Sequence, residues 1–196
     1  APSENNHVYG IQKNGTVKFD ILFDSKITTT PSVLNVEDSI YIFIGLDNGD
    51  IFCFDLDGNI NNNYTYNIST SVVGSIVFSD LDSDGLVEIV ASNDIGDIYI
   101  YHLNGDIFEN FPISYNFPNS SPPAIFDVDQ DLDLEIYGGT TNAISMLDIK
   151  SDGIPDNYWS IFKGNNRRSS FYEFCLAGDL NYSQSLNVLD IIIFID

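Results

Sequence analysis

The chain has 196 residues, 43% hydrophobic and 13% aromatic, which is enough apolar surface for a core and excludes a disordered acidic tail. Seven Lys plus Arg stand against 29 Asp plus Glu, and the formal charge of −22 disfavours nucleic acid and anionic membrane surfaces as partners. The apolar runs are only a few residues long, so no segment supplies the roughly 20 residues of a membrane-spanning helix.

Ala1 opens the chain without an initiator Met or a charged-then-apolar leader, as expected of a processed terminus, an engineered start or an internal cut. The first structural signal is Val8-Tyr9-Gly10-Ile11 followed by Asn14-Gly15, an apolar run leading into a hairpin turn. The same feature returns as Gly49-Asp50-Ile51 with F-C-F-D-L before Asp57-Gly58, and as Gly96-Asp97-Ile98 with Y-I-Y-H-L before Asn104-Gly105. It returns again as Asn142-Ala143-Ile144 with S-M-L-D-I before Asp152-Gly153. Such recurrence marks an internal repeat.

Each unit reads as four short strands. In the middle unit they fall at about 72–78, 86–91, 96–103 and 107–113, with alternation such as Ile98 and Ile100 against Tyr99 and Tyr101. Sheets with two usable faces are suited to stacking. The first unit, from about Pro31 to Tyr66, shortens its first loop to Val36-Glu37-Asp38-Ser39. The third runs from about Pro122 to Lys163 and ends in Tyr158-Trp159-Ser160-Ile161-Phe162.

The middle unit carries D-L-D-S-D-G-L-V-E from Asp80 to Glu88. Asp80, Asp82 and Asp84 alternate, so a curled loop converges their carboxylates, which repel one another unless a cation sits between them. Calcium takes six to eight oxygens in flexible geometry. Gly85 permits the sharp turn, Leu86 would give its backbone carbonyl, and Glu88 a further carboxylate. In the third unit D-V-D-Q-D-L-D-L-E places Asp127, Asp129, Asp131, Asp133 and Glu135 at the same offsets, 47 residues on. It lacks the glycine, because Leu132 stands at position six. The first unit has no such loop and is expected to hold no metal.

Residues 164–175 read as a polar linker. Beyond it, Asp179, Asn181, Ser183, the Ser185 carbonyl, Asn187 and Asp190 have the spacing of an EF-hand-type calcium loop leading into a helix, with Ser183 and Gln184 replacing the usual Asp and Gly. The run Ile191-Ile192-Ile193 is strand-like by propensity. Cys53 and Cys175 suit either one disulfide in an oxidising compartment or two free thiols. N-x-[ST] sequons occur at Asn14, Asn63, Asn67, Asn119 and Asn181, some of them expected by chance in so Asn-rich a chain.

Four-stranded repeats at a period of about 45 indicate propeller blades. Over roughly Val8 to Lys163 the chain resembles the FG-GAP or VCBS repeats of integrin-like propellers, whose blades carry a D-x-D-x-D-G-x-x-E calcium loop between strands one and two. The tail, residues 176–196, resembles the first half of a dockerin. The expected fold is therefore all-β: about three four-stranded antiparallel blades plus a partial N-terminal one over 1–163, then a short calcium loop and helix. Three blades and a fraction fall short of the four to eight of a closed propeller.

Catalysis is not expected. His7 and His102 accompany no nucleophile elbow, HExxH, CxxC or phosphate loop. The resemblance implies a secreted or cell-surface calcium-binding module for adhesion or recognition, with a protein or glycan ligand. The alternatives are a self-assembling filament or scaffold subunit whose partners are copies of itself, and a targeting appendage of a larger secreted hydrolase.

Overall fold

The structure, a computed structural model, describes residues 5–36, 39–154 and 158–170. Its strands are β1 (His7–Ile11), β2 (Val17–Leu22), β3 (Ser32–Val36), β4 (Ser39–Gly45), β5 (Asp50–Asp55) and β6 (Tyr66–Asn67). They continue with β7 (Val77–Ser79), β8 (Glu88–Ser92), β9 (Asp97–His102), β10 (Ile113–Ser114), β11 (Ala124–Phe126), β12 (Asp133–Gly139) and β13 (Ile144–Asp152). All pairings between these strands are antiparallel. They form a hairpin β1-β2, blade one in the order β3-β4-β5-β6, blade two in the order β7-β8-β9-β10, and a three-stranded blade three, β11-β12-β13. No helix among the described residues is long and apolar enough to cross a membrane.

Side-chain alternation makes the blades stack. In blade two Phe78 and Ile89 point one way and Val77, Val90 and Ile100 the other, and all five are fully buried. The first face meets Leu34, Phe43 and Cys53 of blade one, and the second meets Ile125, Ile136 and Leu147 of blade three. A third cluster joins Val8, Phe19 and Ile21 of the hairpin to Ile44 and Phe54 of blade one. Each seam is a layer of interdigitated side chains between sheets.

Polar ties run beside these apolar seams. The rings of Tyr66 and Tyr101 lie 5.0 Å apart. Tyr66 Oη donates to Leu103 O and Tyr101 Oη to Asn67 O, both at 2.9 Å, so each phenol closes on the backbone of the other blade. Buried Asn119 donates through Nδ2 to Asn93 O and Asp97 O at 2.9 and 3.2 Å, fastening the entry to blade three onto blade two.

Three sequence expectations need correction. The fourth strand of blade two is Ile113–Ser114, while Ile107 forms only an isolated bridge to Tyr101, because a turn in which Phe111 N donates to Phe108 O, followed by Pro112 with no N–H, interrupts the ladder. Blade three has three strands among the described residues. At its Asp152-Gly153, the N–H groups of the described residues turn to neighbouring segments and not across a hairpin: Gly153 N donates to Leu132 O and Ile154 N to Asp80 O. The segment around Trp159, expected to finish blade three, instead crosses the first strands of two blades. Phe78 N donates to Trp159 O at 3.1 Å and Ile125 N to Ser160 O at 2.9 Å, and the Trp159 side chain lies in the core between blades one and two.

Cys53 is a buried free thiol, and burial, with the Asp55 charge adding, pushes it up to about 12. Cys175 lies outside the described residues, as do Asp179, Asn181, Ser183, Ser185, Asn187 and Asp190.

Removing one phenolic hydroxyl tests the seam between blades one and two. Tyr101→Phe keeps the ring pair but leaves Asn67 O without that donor, and should lower the unfolding free energy by about 1 kcal/mol, read from urea unfolding curves.

Candidate metal centre

The two acidic loops occupy one architectural position, between the first and second strands of blades two and three. Their backbones follow one path. In the first loop Ser83 and Gly85 have φ of 57° and 86°; in the second Gln130 and Leu132, at the same offsets, have φ of 65° and 81°. The missing glycine therefore does not change the turn. Leu132 is held in the left-handed region that glycine enters without penalty.

A second shared device closes each loop. Glu88 Oε2 accepts from Leu81 N at 2.7 Å and Glu135 Oε2 accepts from Val128 N at 2.8 Å. Position nine thus reaches back to the N–H of position two. This is the physical use of a glutamate at the head of the second strand: its carboxylate supplies an acceptor that the curled backbone lacks.

The carboxylates that meet are fewer than the spacing implied, and they differ between loops. In the first, oxygens of Asp80, Asp82 and Glu88 lie within 4.8 Å of one another. Asp84 stands outside this group, exposed, with Oδ1 accepting from Leu86 N at 2.7 Å, and the Leu86 side chain is exposed. In the second loop Asp129, Asp131, Asp133 and Glu135 converge within the same distance. There Asp127 stands apart, its Oδ1 accepting from Gln130 N at 2.7 Å. Asp133, at a position where the first loop has Leu86, joins the cluster and pairs through Oδ2 with Lys150 Nζ at 3.2 Å.

Two atoms indicate what these clusters suit. Asp80 is 1% exposed; its Oδ2 accepts from Gly85 N at 3.1 Å, but its Oδ1 is buried without a hydrogen-bond partner. Asp133 Oδ1 is buried and unpartnered in the same way. A bare carboxylate oxygen beside other carboxylates is costly in a protein interior unless a cation neutralises it. An all-oxygen donor set of three or four carboxylates in a flexible loop fits a hard divalent ion of the calcium type. The residues that would hold it are Asp80, Asp82 and Glu88 in the first loop, and Asp129, Asp131, Asp133 and Glu135 in the second.

The first loop is braced by residues whose part the spacing did not reveal. Ser79 Oγ donates to Ile154 O and Ser83 Oγ to Asp152 O, both at 2.8 Å, and Ser151 Oγ donates to Leu81 O at 3.1 Å. The end of β13 thereby clamps the loop of the preceding blade. His102 Nδ1 lies 3.0 Å from Glu88 Oε1. Glu88 is fully buried, and burial pushes its carboxyl up to about 7 despite the Leu81 N–H and His102, with the Asp82 charge adding to the rise. Beside the loop a cleft of about 560 Å³ opens between blades two and three, lined by Asp82, His102, Phe108, Phe111, Asp148 and Lys150.

Two outcomes follow from this geometry. Leu132 is 64% exposed, so Leu132→Gly gives up little burial while relieving the left-handed backbone, and should raise the unfolding free energy by about 1 kcal/mol in denaturant titration. Because the Glu88 carboxyl is raised in the folded state, its contribution to metal-free stability is fully present below about 4.5 and is lost as pH rises through about 7. Melting temperatures in chelator across that window should fall with rising pH. Glu88→Gln should remove that part of the slope.

Residues 80–138, which contain both loops, match the FG-GAP-like repeat family. Among curated proteins none is similar enough to count as a match. Among solved structures the chain is similar to BamB from Moraxella catarrhalis, with a TM-score of 0.54 and 17% identity over 78% of this chain and 43% of that one. It thus spans less than half the length of that protein. The computationally designed Ika4 protein is matched with a TM-score of 0.31 and 13% identity, over 65% of this chain and 93% of that one. At such identity the likeness to BamB speaks for fold alone. Together with the stacked antiparallel sheets it makes the described residues an all-β array of β-propeller blades, in which the segment matching the FG-GAP-like repeat family runs across blades two and three.

Proposed function

We propose that the protein is a non-catalytic, calcium-stabilised propeller module that presents a recognition surface for a protein or glycan outside the cell. The observation that carries the calcium reading is the buried, unpartnered Asp80 Oδ1 beside Asp82 and Glu88, in a loop inside the segment matching the FG-GAP-like repeat. Calcium would act structurally. It would neutralise the cluster and fix the link between the first two strands of a blade, so that stability depends on free calcium. The millimolar calcium of extracellular fluids suits such a loop, and the charge of −22 is easier to carry where cations are plentiful.

The cleft between blades two and three supports recognition over catalysis. Its lining combines Phe108 and Phe111 with polar side chains, the mixture that binds peptides or sugars. Of its two carboxylates outside the metal loops, Asp148 is ion-paired with Lys150, and the other is Glu109.

The test is a thermal melt of the full chain in calcium, in magnesium and in chelator. Calcium at about 100 times its dissociation constant should add about 2.7 kcal/mol of stability. Asp80→Asn should abolish the share of that gain due to the first loop while leaving the fold intact by circular dichroism. A wild-type melt indifferent to chelator would remove the calcium reading.

A further inference from the structure

The same blade face recurs three times, and only two copies of it are covered. Strand register makes the equivalence direct: Gly45 faces Ile51, Ser92 faces Ile98 and Gly139 faces Ile144, while Phe43 faces Cys53, Val90 faces Ile100 and Tyr137 faces Met146. Ile51 and Ile98 are 0% and 1% exposed beneath the following blade, whereas Ile144 is 84% exposed. Cys53 and Ile100 are fully buried, whereas Met146 is 56% exposed. An apolar face built to receive a blade is covered by none of the described residues on blade three.

The opposite end of the stack carries the complementary half. Ile11 stands three residues before the Asn14-Gly15 turn, as Phe54 and Tyr101 stand before Asp57-Gly58 and Asn104-Gly105. Phe54 and Tyr101 pack against the unit that precedes theirs. On the hairpin that face shows Ile11, Val17 and Leu22, between 59% and 64% exposed.

We propose that a second copy of this chain covers blade three with the outer face of its β1-β2 hairpin, head to tail. The contact would continue the packing that already joins hairpin to blade one, one to two and two to three. Charge selects this pairing over blade three against blade three. Residues 122–154 hold seven acidic side chains against Lys150 alone, so two such faces repel, whereas residues 7–22 hold Lys13 and Lys18, the latter paired with Asp57, against Asp20, which pairs with His7. A heterologous contact of this kind propagates until a ring closes or a filament grows.

The test is sedimentation velocity of the full chain at constant calcium over a concentration series. The expected result is growth in steps of the 21.8 kDa chain mass. Ile11→Asp and Ile144→Asp, both at exposed positions and checked for an unchanged melt, should each be monomeric alone. Mixed in equal amounts they should form a dimer and nothing larger, because each retains one intact face. A wild-type chain that stays monomeric up to its solubility limit, as when another part of the chain covers blade three, would overturn the proposal. So would dimers of Ile11→Asp by itself, or the absence of dimers in the mixture.

Discussion

A sheet that is apolar on both faces cannot stand alone in water, and this constraint organises the molecule. Val77, Phe78, Ile89, Val90 and Ile100 are all fully buried although they belong to one thin blade. Each such side chain contributes about 2 kcal/mol only if a neighbouring sheet covers it. Blade two is therefore held from both sides, and the seams with blades one and three are conditions of its existence. The polar ties at the seams, such as Tyr66 to Leu103 and Asn119 to Asn93, set the register of one blade on the next.

Stacking also decides what happens to the acidic loops. A loop between the first two strands emerges at the rim of its blade, where the third strand of the following blade ends. Ser79, Ser83 and Ser151 use that proximity to fasten the Asp80 loop to β13, and Ile154 adds a backbone bond to Asp80 O. The Asp127 loop lacks such a clamp from a following blade among the described residues, and its carboxylates are more exposed. There Lys150, from β13 of the same blade, supplies part of the neutralising charge. Two loops of one backbone shape thus reach different electrostatic states through their neighbours.

The crossing of residues 158–164 has a related cause. The first strands of blades two and three touch, and their outward N–H groups at Phe78 and Ile125 need acceptors. Trp159 and Ser160 provide them, and the indole fills space that Leu34, Phe43 and Phe78 leave between blades one and two. A buried backbone donor left unpaired would cost about as much as a lost hydrogen bond, so a segment that looked like the end of blade three is better used across the stack.

Much of this was legible in the residues. The period near 45, the hairpins at Asn14-Gly15, Asp57-Gly58 and Asn104-Gly105, the position of both acidic loops and the two-faced strands follow from alternation and turn chemistry, which are local and need no knowledge of neighbours. Spacing also placed Glu88 and Glu135 at their loops. It could not show that each closes its loop on a backbone N–H, nor that Asp84 and Asp127 turn away while Asp133 turns in, because hydrogen bonds and a lysine from another strand decide these orientations. The blades and the alternating carboxylates are thus written in local pattern, whereas which carboxylates meet, what braces them and which faces the described residues leave uncovered follow from the packing, since those outcomes depend on residues up to 75 positions apart being brought side by side.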